Sequence, residues 1–103
     1  MEGNMKMINV AKDFSRYPSG RHPEDSKYSG ERFREDFLVQ PLRENSSLMI
    51  ELDGTLGYGS SFLDEAFGGL SRIHGFTKEF LKNHLHLISK NEDLVTEAWS
   101  YMH

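Results

Sequence analysis

Met49-Ile50-Glu51-Leu52-Asp53-Gly54-Thr55-Leu56-Gly57-Tyr58-Gly59-Ser60-Ser61-Phe62-Leu63-Asp64-Glu65-Ala66-Phe67-Gly68-Gly69-Leu70 reads as a buried strand, a glycine-rich turn, two serines at a helix start and a helix with one apolar face. Such a strand-to-helix turn gathers hydroxyls and free backbone N–H groups at one exposed point. In α/β proteins that point usually carries the working surface. Outward from it, Leu48, Ile50 and Leu52 alternate with Met49 and Glu51 as a strand, and a helix is expected from about Ser61 to Ile73. Leu63, Ala66, Phe67, Leu70 and Ile73 form its apolar stripe. Gly68-Gly69 inside it costs about 1 kcal/mol per glycine relative to alanine, which suggests close approach to the sheet or to a partner.

Upstream, Ile8 and Val10 place a first strand over residues 7–11, followed by an irregular segment from about Ser15 to Lys27 containing Pro18, Gly20 and Pro23. Phe14, Tyr17 and Tyr28 are expected to pin that long segment to the core. Ser29 is a plausible cap for a helix bearing Phe33, Phe37 and Leu38, which Pro41 should kink or end. Downstream, Thr77 caps a short turn over residues 78–82 and His84 to Ile88 alternates as a third strand. Asn91 then caps a last helix whose buried face is Leu94, Val95, Ala98, Trp99 and Met102. The order β-loop-α-β-α-β-α gives an α/β fold, a small layered domain with a central, mostly parallel sheet and helices packed on it.

The chain has 103 residues, 37% of them apolar, which suits a single domain over residues 1–103. Twelve basic against sixteen acidic residues give a formal charge of −4, which argues against a nucleic-acid partner. The absence of cysteine excludes disulfides, zinc–thiolate sites and cysteine nucleophiles. Met1 to Lys6 has no signal-peptide core, and the run Leu48-Met49-Ile50 is too short for a bilayer, so a cytoplasmic protein with no membrane segment is expected.

Several chemistries fit the serine turn poorly. Phe62 stands where a dinucleotide loop needs its third glycine, and no lysine stands where a P-loop needs one. Neither serine has both flanking glycines of a nucleophile elbow, so no catalytic residue is assigned. Ser60 or Ser61 is expected to cap the helix, Ser61-x-x-Asp64 resembling a capping box. A phosphate on Ser60 would sit at the favoured end of the helix dipole, although Asp64 and Glu65 would repel it. Leu56, Tyr58 and Phe62 are read as an exposed apolar tip beside it, with Gly59 and Asp64 completing a partner-binding surface.

Arg21 and Arg34 are candidates for holding an anion or nucleotide at the same helix start, against the plainer expectation that they pair with Asp13, Glu31 or Asp36. His84 and His86, read on one strand face, lack a third ligand and define no metal site. No cofactor is expected. Trp99 is read as core, with a homodimer edge over residues 99–103 as the alternative.

The run from Ile50 to Gly54 and from Gly57 to Leu70 resembles the STAS-like domain family of uncharacterised bacterial proteins. Asp13-Phe14-Ser15, Pro18, Gly20-Arg21 and Ser29-Gly30-x-x-Phe33-Arg34 match its upstream pattern, so that the resemblance spans residues 7 to 90. The resemblance implies a non-catalytic regulatory module like the anti-sigma factor antagonists. In those proteins the first hydroxyl of an Asp-Ser-Ser-Gly-Leu or Asp-Ser-Thr-Gly-Leu helix start is phosphorylated by a histidine-kinase-type (GHKL) ATPase partner. Carried across, Ser60 takes the phosphoacceptor place, Ser61 follows it and Leu63 holds the leucine position. Gly59 replaces the acid and Phe62 the glycine of that motif.

Overall fold

The computed structural model describes residues 5–103. The N-terminal residues behind the no-leader reading, Met1 to Asn4, lie outside that range. Three strands, β1 (Met5–Asn9), β2 (Ser47–Glu51) and β3 (Leu85–Ile88), form a parallel sheet in the order β1-β2-β3. Ile8 stands opposite Ile50, and Ile50 opposite Leu87. The helices are α1 (residues 30–43), α2 (residues 60–72), α3 (Lys78–His84) and α4 (Glu92–Ser100). The expected α/β layering and element order are therefore present.

Period-2 alternation puts Ile8, Leu48, Ile50 and Leu85 on the face that meets the helices, and all four are buried. α1 packs against α2, and its last turns reach β2. Phe33, Phe62 and Phe67 are fully buried between them. Ala98 and Met102 bring α4 into the same core, with Leu94, Val95 and Trp99 half-buried against it, as the helical stripe implied.

Several boundaries differ from the sequence reading. The first strand ends at Asn9, because the chain coils at once into a widened π-type turn, Val10–Phe14, in which Asn9 accepts from the Lys12 N–H. Pro41 does not end α1, which runs on to Arg43. A π-type turn, Arg34–Leu38, precedes it and opens the helix where the ring would otherwise collide. Ile73 is 58% exposed, since α2 stops one residue earlier. His84 ends α3 rather than joining β3, so it shares no strand face with His86. Its Nδ1–H donates to the Phe80 carbonyl and its ring stacks on Phe80. Phe14 and Tyr28 do pin the long segment, meeting edge-on at 5.6 Å, whereas Tyr17 is 61% exposed.

The glycines explain how closely α1 and α2 approach. A Cβ on Gly30 would come within 2.6 Å of the Phe62 carbonyl and 2.9 Å of the Ala66 nitrogen, both backbone atoms of α2. Gly30→Ala should therefore cost about 1–3 kcal/mol through overpacking. The expected readout is a lower urea midpoint with an unchanged denaturant slope.

Candidate functional site: the turn from β2 into α2

After β2 the chain is fastened before it turns. The Leu52 N–H donates to the Ile88 carbonyl at 2.9 Å. Asp53 accepts from the Ser89 hydroxyl at 2.7 Å and the Lys90 N–H at 2.9 Å, joining the exits of β2 and β3. Those bonds hold the Asp53 carboxyl below its usual range. Gly54 and Gly57 take φ of +103° and +132°, a region that side chains disfavour. The Leu56 N–H then reaches the Arg16 carbonyl at 2.9 Å, tying the turn to the long segment.

Tyr58 is half-buried, its hydroxyl donating to the Leu52 carbonyl at 2.7 Å and its ring 5.8 Å from Phe62. Burial pushes its phenol well above the ordinary tyrosine value. Phe62 is wholly buried among Phe14, Phe33 and Tyr58. The expected apolar tip is thus reduced to Leu56, which is 70% exposed. The large residue at position 62 serves the aromatic core.

The N-cap of α2 is Gly59, with φ −78° and ψ 154°, and no side chain caps the helix. Ser60 and Ser61 occupy the first two helical positions and are exposed. This corrects the expectation of a serine cap and of a capping box through Asp64. Among the described residues neither hydroxyl has a hydrogen-bond partner, and both serines are exposed, whereas Phe62 directly after them is buried. Beside the turn, Asp53, Thr55, Tyr58, Asn91, Asp93 and Glu97 border an open cleft of about 360 Å³ running to α4.

Asp64 has another task. It accepts from Arg21 at 2.8 Å and from Arg72 at 2.7 Å. Partial burial pushes its carboxyl upward, but the two guanidinium bonds outweigh this and hold it below the usual range. Arg34 is only 2% exposed. Its Nη1 donates to the Glu65 side chain at 2.8 Å and to the Glu65 carbonyl at 2.6 Å, and its Nε donates to Glu35 at 2.7 Å. Burial lowers the Arg34 pKa, and the Glu65 and Glu35 bonds overcome it, so the net direction is up.

Arg34 is therefore enclosed between helices, its guanidinium bonded to Glu35 and Glu65. Arg21 is engaged as well, and neither pairs with Asp13, Glu31 or Asp36. The partners are Asp64 and Glu65 for Arg21, and Glu35 and Glu65 for Arg34. The ladder extends outward, because His74 Nε2 donates to Glu35 at 2.6 Å and Arg43 donates to His74 Nδ1 at 3.2 Å. Among the described residues no group of three or more acidic, histidine or cysteine side chains could hold a metal. No helix among them is long and apolar enough to cross a membrane.

The ion-pair roles of Glu65, Arg72 and Glu35 do not follow from their local sequence context. Their signal was the glycine pair. A Cβ on Gly69 would strike the Arg34 guanidinium, and one on Gly68 would lie 2.7 Å from an Asp64 oxygen and 2.5 Å from Arg72. Gly69 makes room for the ion pair between α1 and α2, and Gly68 for the Asp64–Arg72 pair within α2 and for the Tyr101 carbonyl, rather than for the sheet.

A three-stranded parallel sheet, helices packed on it and a serine-led helix leaving the central strand make up a STAS-like arrangement. The family described as STAS-like domain of unknown function (DUF4325) matches residues 29–94, well over half of the chain, and the protein belongs to that family. No curated protein and no solved structure matches it.

Removing Arg34 would leave the buried Glu65 carboxylate with only the 3.9 Å contact to Arg21. Arg34→Met should cost about 3–5 kcal/mol, read by urea denaturation. Asp64 and Glu35 titrate lower in the folded chain than in the unfolded one. Their contribution to stability is present above the unfolded carboxylate pKa and is lost as pH falls through the folded value. Stability should therefore drop below about pH 4, and Asp64→Asn should flatten that acid limb in a series of melts across pH.

Proposed function

We propose that the protein is a non-catalytic regulatory module that docks a protein partner through the Gly54 to Leu63 turn, with Ser60 as phosphoacceptor. The reading rests on one observation: Ser60 and Ser61 stand exposed at the start of α2 with neither hydroxyl spent on capping. Family membership supports it, as does Leu56, exposed within the same turn. The resemblance to anti-sigma factor antagonists makes a GHKL-type ATPase the partner of choice.

The local electrostatics favour the charge. A phosphate on Ser60 gains from the helix dipole and from unspent backbone N–H groups. Repulsion by the acids of the next turn is weaker than their count suggests. Asp64 is already matched by Arg21 and Arg72, and Glu65 by Arg34. Ser60 and Asp64 are one helical turn apart, so a phosphate competes for Arg21, whose side chain is 40% exposed. Modification would thereby loosen the tie between the long segment and α2.

Incubation with a GHKL-type ATPase and ATP should place a single phosphate on Ser60, located by mass spectrometry and abolished by Ser60→Ala. Leu56→Asp should weaken ATPase binding about tenfold without altering the melting temperature. An unmodified chain whose binding ignores both Ser60→Asp and Leu56→Asp would overturn the reading.

A further inference from the structure

All-parallel sheets normally carry cover on both faces, because their connections lay helices there. Among the described residues the helices cover one. On the other face Met5, Met7 and Ile88 are 50%, 74% and 38% exposed, with Met49 half-buried between them. The register sets Met7, Met49 and His86 in one row, and Asn9, Glu51 and Ile88 in the next. Met7, Met49 and Ile88 line a groove of about 230 Å³ whose rim carries Asp13 and Glu51.

The rim is negatively charged and uncompensated. Asp13 accepts the Asn9 N–H and Glu51 the Asp53 N–H, but among the described residues neither forms an ion pair. The strand residues on this face include no lysine or arginine.

We propose that this face docks an amphipathic helix of a protein partner, its apolar side chains on Met7, Met49 and Ile88 and its Lys or Arg against Asp13 and Glu51. Methionine suits the task, since its unbranched thioether adapts to differently shaped apolar anchors. A helix laid across the face supplies the cover that a parallel sheet ordinarily has, in the helix-in-groove manner. The charge argues against two other occupants. A second copy packed through the same patch brings no lysine or arginine from it to meet the carboxylates. An anionic membrane surface would be repelled. This surface is on the sheet face opposite α2, so the proposal does not depend on phosphorylation of Ser60.

The test uses the full chain with isotope-labelled methionine methyls, titrated with a synthetic amphipathic peptide of about five helical turns, Leu on one face and Lys on the other. Met7 and Met49 methyl signals should shift while that of Met102, fully buried in the core, stays in place. Affinity should fall about tenfold in Met7→Glu and again in the double variant Asp13→Asn, Glu51→Gln. Met7 is exposed, so its variant is expected to melt as the parent does. A matched peptide with Glu in place of Lys should leave the methyls unmoved. Equal binding of the Glu peptide, or a Lys peptide that moves neither methyl, would overturn the proposal. So would a dimer in sedimentation that buries Met7 and Met49, which would assign the face to a second copy.

Discussion

The Arg34–Glu65 pair, closed off between α1 and α2, is the contact on which the arrangement turns. A guanidinium and a carboxylate taken out of water are tolerable only when their bonding capacity is met. Glu65 offers side chain and carbonyl, and Glu35 takes the remaining edge. Space for the group comes from Gly69, and the close backbone approach comes from Gly30. Both helices widen where they carry these residues, at Arg34–Leu38 and Asp64–Gly68. The pair therefore fixes where the helices cross as well as how near they come.

From that crossing, order passes to the functional turn. Arg21 joins the same ladder through Asp64, while the carbonyls of Gly20 and Arg21 accept the N–H groups of Gly30 and Glu31 at the head of α1. The long segment is thus a strap linking the first turns of both helices. Phe14 anchors its near end in the aromatic cluster with Phe33, Phe37 and Phe62. With Asp64 committed to arginines and Gly59 serving as cap, the two serines are left to solvent. Their availability follows from what their neighbours do.

Local patterning was a good guide wherever one face of an element is buried. Leu48 and Ile50, the α4 stripe, and the caps Ser29, Thr77 and Asn91 each follow from period or from short-range hydrogen bonding. It misled where a distant partner decides. Phe62 looked like a surface anchor because it follows two serines. Sequence proximity offers Arg34 an anion or one of Asp13, Glu31 and Asp36, whereas Glu65, the acid that encloses it, stands thirty-one residues away. Gly68-Gly69 announced a close approach but not with what.

The sequence by itself determined the α/β order, the strand faces and the placing of Ser60 and Ser61 at a helix start, because alternation, capping and glycine turns act over a few residues. Only the tertiary structure decided which charges are consumed between helices, which serines remain exposed and that, among the described residues, one sheet face has no helix on it. Those outcomes depend on atoms brought together from distant parts of the chain, where burial and geometry rather than neighbouring residues set the free energy.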